Sequence, residues 1–364
     1  MISIEEKGYW IWLSCIPEIG VKRFFYLIER FDTAKGVWNA SDNDIRNCNN
    51  QIGYKAVNNI LDRRSSNYLE DAFSIINNGN MSIATLLDEE YPKLLKEIYD
   101  PPPVLYYKGN FPHPELPSIA IVGSRMPTSY GVQMAQILSR QLAEAGVVVV
   151  SGLARGIDTT AHAAALKAGG HTIGVLGCGV DVIYPPENSR YYTQMAQKGT
   201  IVSEYPPGTQ PLASNFPARN RIISGLSKGV LVIEARKRSG TLITVDYALE
   251  QGRDVYAIPG NINNSCSQGT NQLLKEGAKP VTSVEDILEE LNIDIQNANL
   301  NREKPLQLDF FEMQVYNALE SGQKHIDELV NATGIEIDKL NSILMMLEIK
   351  GIIRQLPGKI FIKQ

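Results

Sequence analysis

Arg125 stands directly after an apolar run and a Gly-Ser pair in the stretch SIAIVGSRMPTSYG, residues 118–131. The same pattern, an apolar run stopped by small residues, recurs at SGLARGID (151–158), GCGVD (177–181) and RKRSGT (236–241). Glycines permit tight turns and close backbone approach, and the N–H groups that open a following helix accept phosphate or another anion. One such turn serves a parallel sheet for structural reasons alone. Four together, three of them with arginine, point to an anion-binding crevice. A second reading of Arg125 is a buried pairing with an acid such as Asp158 or Glu204.

The stretch SNFPARNRIISG (214–225) gives the anion a character. Phe216 beside Pro217 fits a core plug or a hydrophobic staple for the helix it precedes. With Arg219, Asn220 and Arg221 just beyond it, the same ring is suited to stack on a base while the guanidiniums hold phosphates. That combination holds single strands without sequence preference. A duplex hides its base faces, so single-stranded nucleic acid is the expected occupant. Overall charge is -5, yet residues 210–240 carry Arg219, Arg221, Lys228, Arg236, Lys237 and Arg238 against Glu234 alone. A basic island on an acidic body marks one localised polyanion site, or a solvated face.

Other chemistries lack their residues. The chain has no GxxxxGK[ST] phosphate loop, and no GxGxxG opens the first helix of the central region. Asp158 and His162, four apart, would share a helix face as an acid/base pair or serve as cap and packing residue. Four cysteines (15, 48, 178 and 266) are scattered without a CxxC pair, which speaks against zinc and a disulfide framework and for a reducing cytoplasm. No cofactor and no metal is expected. The start, MISIEEKGYW, is acidic where a secretory leader is basic, and no apolar run approaches the roughly 18 residues of a membrane span.

The elements that must position these residues follow from periodicity. Residues 118–290 alternate apolar runs (118–123, 147–152, 172–177, 200–205, 229–235, 254–260 and a short KPVT) with helical patterns. Continuously apolar strands, each followed by a helix, predict a doubly wound, Rossmann-like α/β domain whose ligands bind at the carboxyl ends of the strands. The expected domain spans 81–291, entered through the proline-rich segment 88–117, in which VLYYKG reads as an edge strand. Residues 1–80 read as a small helical module of the helix-hairpin-helix or SAM-like kind, with turns at Pro17–Gly20 and Gly53; Glu18 would repel a phosphate there. A polar linker is expected at 292–306. Three helical patterns and a Pro-Gly hairpin over 307–364 predict a winged helix, whose last helix lacks arginine and suits a protein partner better than a DNA groove.

GSR at 123–125, SGLARGIDTTAHAAAL, GVLGCGVDVIYPPEN, NFPARNRIISGLSKGVLVIEA, SGTLITVDYALEQGRDVYAIPG and SQGTNQLLKEGA occur in this order. In them the chain resembles the DNA-processing protein A family (DprA, also called Smf). The resemblance implies a recombination mediator, not an enzyme, that binds and protects single-stranded DNA and loads the recombinase RecA onto it, notably in natural transformation. It also implies a homodimer through the α/β domain. Carried over, the pocket comprises Gly123, Ser124, Arg125, Ser151, Gly152, Arg155, Phe216, Arg219, Asn220, Arg221, Ser239 and Gly240; charge alone adds Lys228, Arg236, Lys237 and Arg238. The alternative is a nucleotide-processing enzyme of the same fold, similar to phosphoribohydrolases with a PGGxGTxxE signature. The corresponding RSGTLITVD has no PGG, and Thr244 stands where that motif has Glu.

Overall fold

Short apolar runs between glycine turns become the strands of a nine-stranded sheet in the computed structural model, which describes residues 4–77, 81–293, 309–320, 322–349 and 352–363. The strands are β1 Ser82–Thr85, β2 Val104–Gly109, β3 Ser118–Val122, β4 Val148–Ser151, β5 Thr172–Val175, β6 Thr200–Ser203, β7 Gly229–Val232, β8 Asp254–Ala257 and β9 Lys279–Pro280. Their spatial order is β1-β2-β6-β5-β4-β3-β7-β8-β9. From β3 to β9 neighbours run parallel, while β2 pairs antiparallel with both β1 and β6. VLYYKG is therefore an internal strand, and the edge is β1, whose four residues SIAT carry too little alternation to announce a strand.

The sheet is doubly wound. From β3 the chain steps through β4, β5 and β6 to one side and then through β7, β8 and β9 to the other, so the winding reverses between β3 and β7. Successive strand residues face opposite sides, and both sides are covered. Ile119 and Ile121 of β3 pack with Leu138 and Leu142 of helix Ser129–Glu144 and with Ala161 of helix Ile157–Lys167. Ala120 and Val122 belong to the other core, with Ile222 and Ile223 of helix Asn215–Gly225 and Val245 of helix Thr241–Glu250. Periodicity gives no sign of helix Ser189–Lys198, because only Tyr192 and Met195 of its ten residues are buried.

The second core continues into the amino-terminal helices, Ile4–Ser14, Val21–Phe31, Ala34–Asn39, Asp42–Asn47, Asn49–Ile52, Tyr54–Asp62 and Ser66–Asn77. Trp12, Leu13, Phe24 and Ile60 share one buried cluster with Leu95, Leu105 and Tyr106. Lys7 pins the layer to the sheet, donating to the Ile83 carbonyl at 3.1 Å and pairing with Asp88 at 3.0 Å. Both expected turns form: Glu18 has φ 70° and Gly53 φ 85°. The Glu18 carboxylate and carbonyl both accept from Arg23, which steadies a left-handed residue that is not glycine.

A second compact unit follows a division at residue 300/301. The expected linker lies, from residue 294 on, outside the described residues. Helices Phe310–Ala318, Ile326–Thr333 and Ile337–Ile349 and the strands β10 Lys324–His325, β11 Ile353–Leu356 and β12 Ile360–Lys363 make a winged helix around Val315, Leu329, Leu340 and Leu344. In the last helix Lys339 sits over the Phe311 ring at 3.3 Å, and Ile337, Met345 and Met346 are exposed.

All three tryptophans, Trp10, Trp12 and Trp38, lie in the helical layer. Leu105→Ala in β2, a fully buried position, is expected to cost about 2–5 kcal/mol. Because the core is continuous, the urea transition seen by tryptophan fluorescence should move with it. An unmoved tryptophan signal alongside a shifted circular-dichroism transition would mean that layer and sheet unfold separately.

Candidate nucleic-acid interface

The reversal between β3 and β7 leaves a crevice at their carboxyl ends, where an open α/β sheet binds its ligands. A cleft of 620 Å³ lies there, lined among others by Gly123, Arg125, Phe216, Asn220, Arg238 and Thr241. Its walls are the turn after β3, helix Asn215–Gly225 and the turn after β7. The walls are tied to one another. The Ser124 carbonyl accepts from Ile157 N at 3.2 Å, and the Thr241 hydroxyl donates to the Gly123 carbonyl at 3.2 Å. Gly123 has no room for a side chain, since a Cβ would come within 2.7 Å of Ile157.

Within this frame Arg125 is exposed, with its guanidinium 5.8 Å from the centre of the Phe216 ring. It has no ion pair among the described residues, and neither do Arg236 and Arg238 on the opposite wall. The acids open to Arg125 as partners are engaged elsewhere. Asp158 accepts from Gly152 N at 3.2 Å, and Glu204 holds Arg221 through two bonds of 3.0 and 2.7 Å. Phe216 is half-buried and inclined against Tyr184, with ring centres 5.4 Å apart at 39°. Free cations beside an aromatic ring in a concave site suit a single-stranded polyanion.

Comparison with known proteins shows the family of the chain. Residues 82–292 match the family model described as DNA recombination-mediator protein A. The chain belongs to that family. Residues 304–359 further match the DprA winged helix domain. The Protein Smf of Synechocystis is 34% identical over 97% of this chain and 98% of its own. The X-ray structure of DNA processing protein A from Streptococcus pneumoniae is similar at a TM-score of 0.68 and 39% identity, covering 80% of this chain and 99% of that one. A structure of DNA processing protein A from Helicobacter pylori, presented for its single-stranded DNA binding mode, is similar at a TM-score of 0.52 and 34% identity over 58% of this chain and 96% of its own.

In this member of the DNA recombination-mediator protein A family the residues expected at the site part into two groups. Gly123, Ser124, Arg125, Phe216, Asn220, Arg236, Arg238, Ser239 and Gly240 line the cleft, and Lys237 is exposed between two of them. Gly152 and Arg155 line a small pit that shares Arg125, Tyr184 and Phe216 with the cleft. Arg155 carries its own counter-ion, pairing with Glu187.

Four expected ligands have other tasks. Ser151 is buried and donates to the Ile121 carbonyl at 2.6 Å, joining β3 to β4. Arg219 lines the cleft but is only 3% exposed, and its Nη1 donates to the carbonyls of Gly152 and Val175. Arg221 is buried between Glu204 and Asp100 and anchors its helix to the segment before β2. Lys228 immediately precedes β7, so it lies at the amino end of the strands, across the sheet from the cleft. The residue that sequence reasoning passes over is Tyr184, whose signal is an aromatic side chain just after the GCGVD turn.

Burial sets the titration of the groups beneath the cleft. It lowers Arg219 to about 10, against the pull of Asp158, and raises Asp158 to about 6, against the pull of Arg219. It holds His162 down at about 3, and Arg219 adds to that effect. Its Nδ1 meets the Thr172 hydroxyl at 2.7 Å; no hydrogen bond joins His162 to Asp158 among the described residues. Cys178 is pushed up to about 11 by burial, which removes thiolate character at neutral pH.

Arg221→Ala leaves two carboxylates without their cation and is expected to cost about 3 kcal/mol in urea unfolding; full stability would remove it as an anchor. A second expectation concerns acid. The folded-state value of His162 lies below its ordinary 6.5, so the unfolded chain takes the proton first. Stability falls as pH drops below about 6.5, by up to ~1.4 kcal/mol per pH unit. Asp158, raised in the fold, acts in the opposite sense between about pH 4 and 6. His162→Gln should therefore flatten the acid-side loss in thermal melts, and an unchanged slope would clear His162 of that role.

Proposed function

We propose that this chain binds single-stranded DNA in the cleft between the turns after β3 and β7, with Arg125 on a phosphate and Phe216 under a base. The observation that carries this reading is the pairing of an exposed guanidinium, without an ion pair among the described residues, with a half-buried aromatic ring in a cleft at the winding reversal. Arg236, Lys237 and Arg238 continue the cationic path on the other wall. The H. pylori relative presented for single-stranded DNA binding supports the same occupant.

From family membership we further infer that the chain protects such strands and loads a RecA-type recombinase onto them in transformation or homologous recombination, as a homodimer through the sheet domain and in the cytoplasm. No helix among the described residues is long and apolar enough to cross a membrane. A non-enzymatic role is favoured over the phosphoribohydrolase reading. Thr244, where that signature has a carboxylate, is buried against the cleft, and the nearby His162 imidazole stays neutral and bonded to Thr172.

Fluorescence anisotropy with a labelled single-stranded oligonucleotide at several salt concentrations tests the assignment. Arg125→Ala should weaken binding to all sequences and reduce the salt slope by roughly 0.7, the share of one phosphate contact on a single strand. Phe216→Ala should cost roughly 1–3 kcal/mol of affinity at an unchanged slope. The two signatures exchanged would refute these roles, and equal affinity for duplex would refute the single-strand preference.

A further inference from the structure

Phe216 is half-buried and offers a base only part of its ring. A Cβ on Gly177 would come within 3.0 Å of it, Arg219 lies 5.9 Å from its centre, and Tyr184 leans on it at 5.4 Å. The two rings are too close for a base to slide between them. Tyr184, however, is itself half-buried and lines both the cleft and the adjoining pit. Its ring continues the surface that Phe216 begins.

Tyr184 shares the small pit with Arg155, a cation that is already paired. The carboxylate of Glu187 is the partner of the Arg155 guanidinium. Both members of that pair are about half exposed, at 54% and 51%. A phosphate arriving at Arg155 would have to displace a carboxylate already in place, whereas one arriving at Arg125 meets no paired carboxylate among the described residues. The same cation type in one cleft thus stands in two electrostatic situations.

We propose that Tyr184 is the second ring of the base platform, and that Arg155, held by Glu187, does not neutralise a phosphate. This rests on single-strand binding in the cleft. Two inclined rings give a base a broader seat than either alone, and every base has a π-face to place on it, so the platform carries no sequence preference. Tyr184 would touch DNA; Arg155 would stay with Glu187.

The test uses the full chain and a labelled oligo-dT, with affinity and salt slope measured together. Tyr184→Leu should weaken binding about 5- to 100-fold at an unchanged slope. Tyr184→Phe, which keeps the ring, and Arg155→Gln should each weaken it only a few-fold, again without a change in slope. Tyr184→Trp provides a direct readout. Trp10 and Trp12 are buried in the helical layer, so quenching of a new solvent-exposed emission by oligo-dT reports stacking at position 184. A slope reduced by roughly 0.7 in Arg155→Gln would make Arg155 a phosphate ligand and overturn the proposal. So would wild-type affinity in Tyr184→Leu, or an indole emission in Tyr184→Trp that stays unquenched on saturated protein. Absence of single-strand binding by the unaltered chain is a separate outcome, which would remove the parent reading and this one with it.

Discussion

Arg219 lies beneath the cleft, and its guanidinium joins three elements that otherwise meet only at their ends. It reaches from helix Asn215–Gly225 to the carbonyls of Gly152, just past β4, and Val175, the last residue of β5. Taking an ion out of water costs several kcal/mol, which only good geometry and an opposite charge offset. Asp158 supplies that charge from the start of helix Ile157–Lys167. Gly152 lies between them, and a Cβ there would come within 2.7 Å of both the guanidinium and the carboxylate. The height of Phe216 over the strand ends follows from this clamp, and so does the floor of the cleft.

Two classes of arginine result. Arg219 and Arg221 spend their donors on carbonyls and carboxylates and set the shape of the site. Arg125, Arg236 and Arg238 have no ion pair among the described residues and set its field. An acidic body with a few free cations in one concavity confines attraction for a polyanion to that place. The structural arginines cannot be traded for lysine, because a single ammonium lacks the planar fork that Arg219 and Arg221 use to reach several acceptors at once.

The course of β3 to β9 and their crevice were legible in the sequence, because strands buried on both faces are apolar throughout and each ends on a glycine turn. Arg125 and Phe216 were legible for the same reason: turn and cation are adjacent in the chain. What stayed hidden depends on contacts distant in sequence. Nothing local distinguishes Arg221 from Arg219 or Asn220, yet one finds Glu204 and Asp100 while the other finds main-chain carbonyls. Lys228 counts by charge, which ignores that it precedes its strand while Arg236 follows it. Tyr184 sits within a motif that reads as a turn, since its neighbour Phe216 lies 32 positions further on. β1 is four residues long, and its pairing with β2 depends on the helical layer that Lys7 secures.

The margins of the sheet also limit how copies of this unit can meet. β9 is two residues long and ends in Pro280, which has no N–H to offer, while Lys279 is occupied by Asp254 and Glu290. At the far side the Ile83 carbonyl of β1 is taken by Lys7. Short, proline-ended or covered margins are how sheets avoid pairing with strangers. Such margins disfavour extension of the ladder by a neighbouring molecule, and self-assembly of the α/β unit would draw on side-chain surfaces. The cleft at the strand ends then lies apart from any backbone pairing at the margins of the sheet.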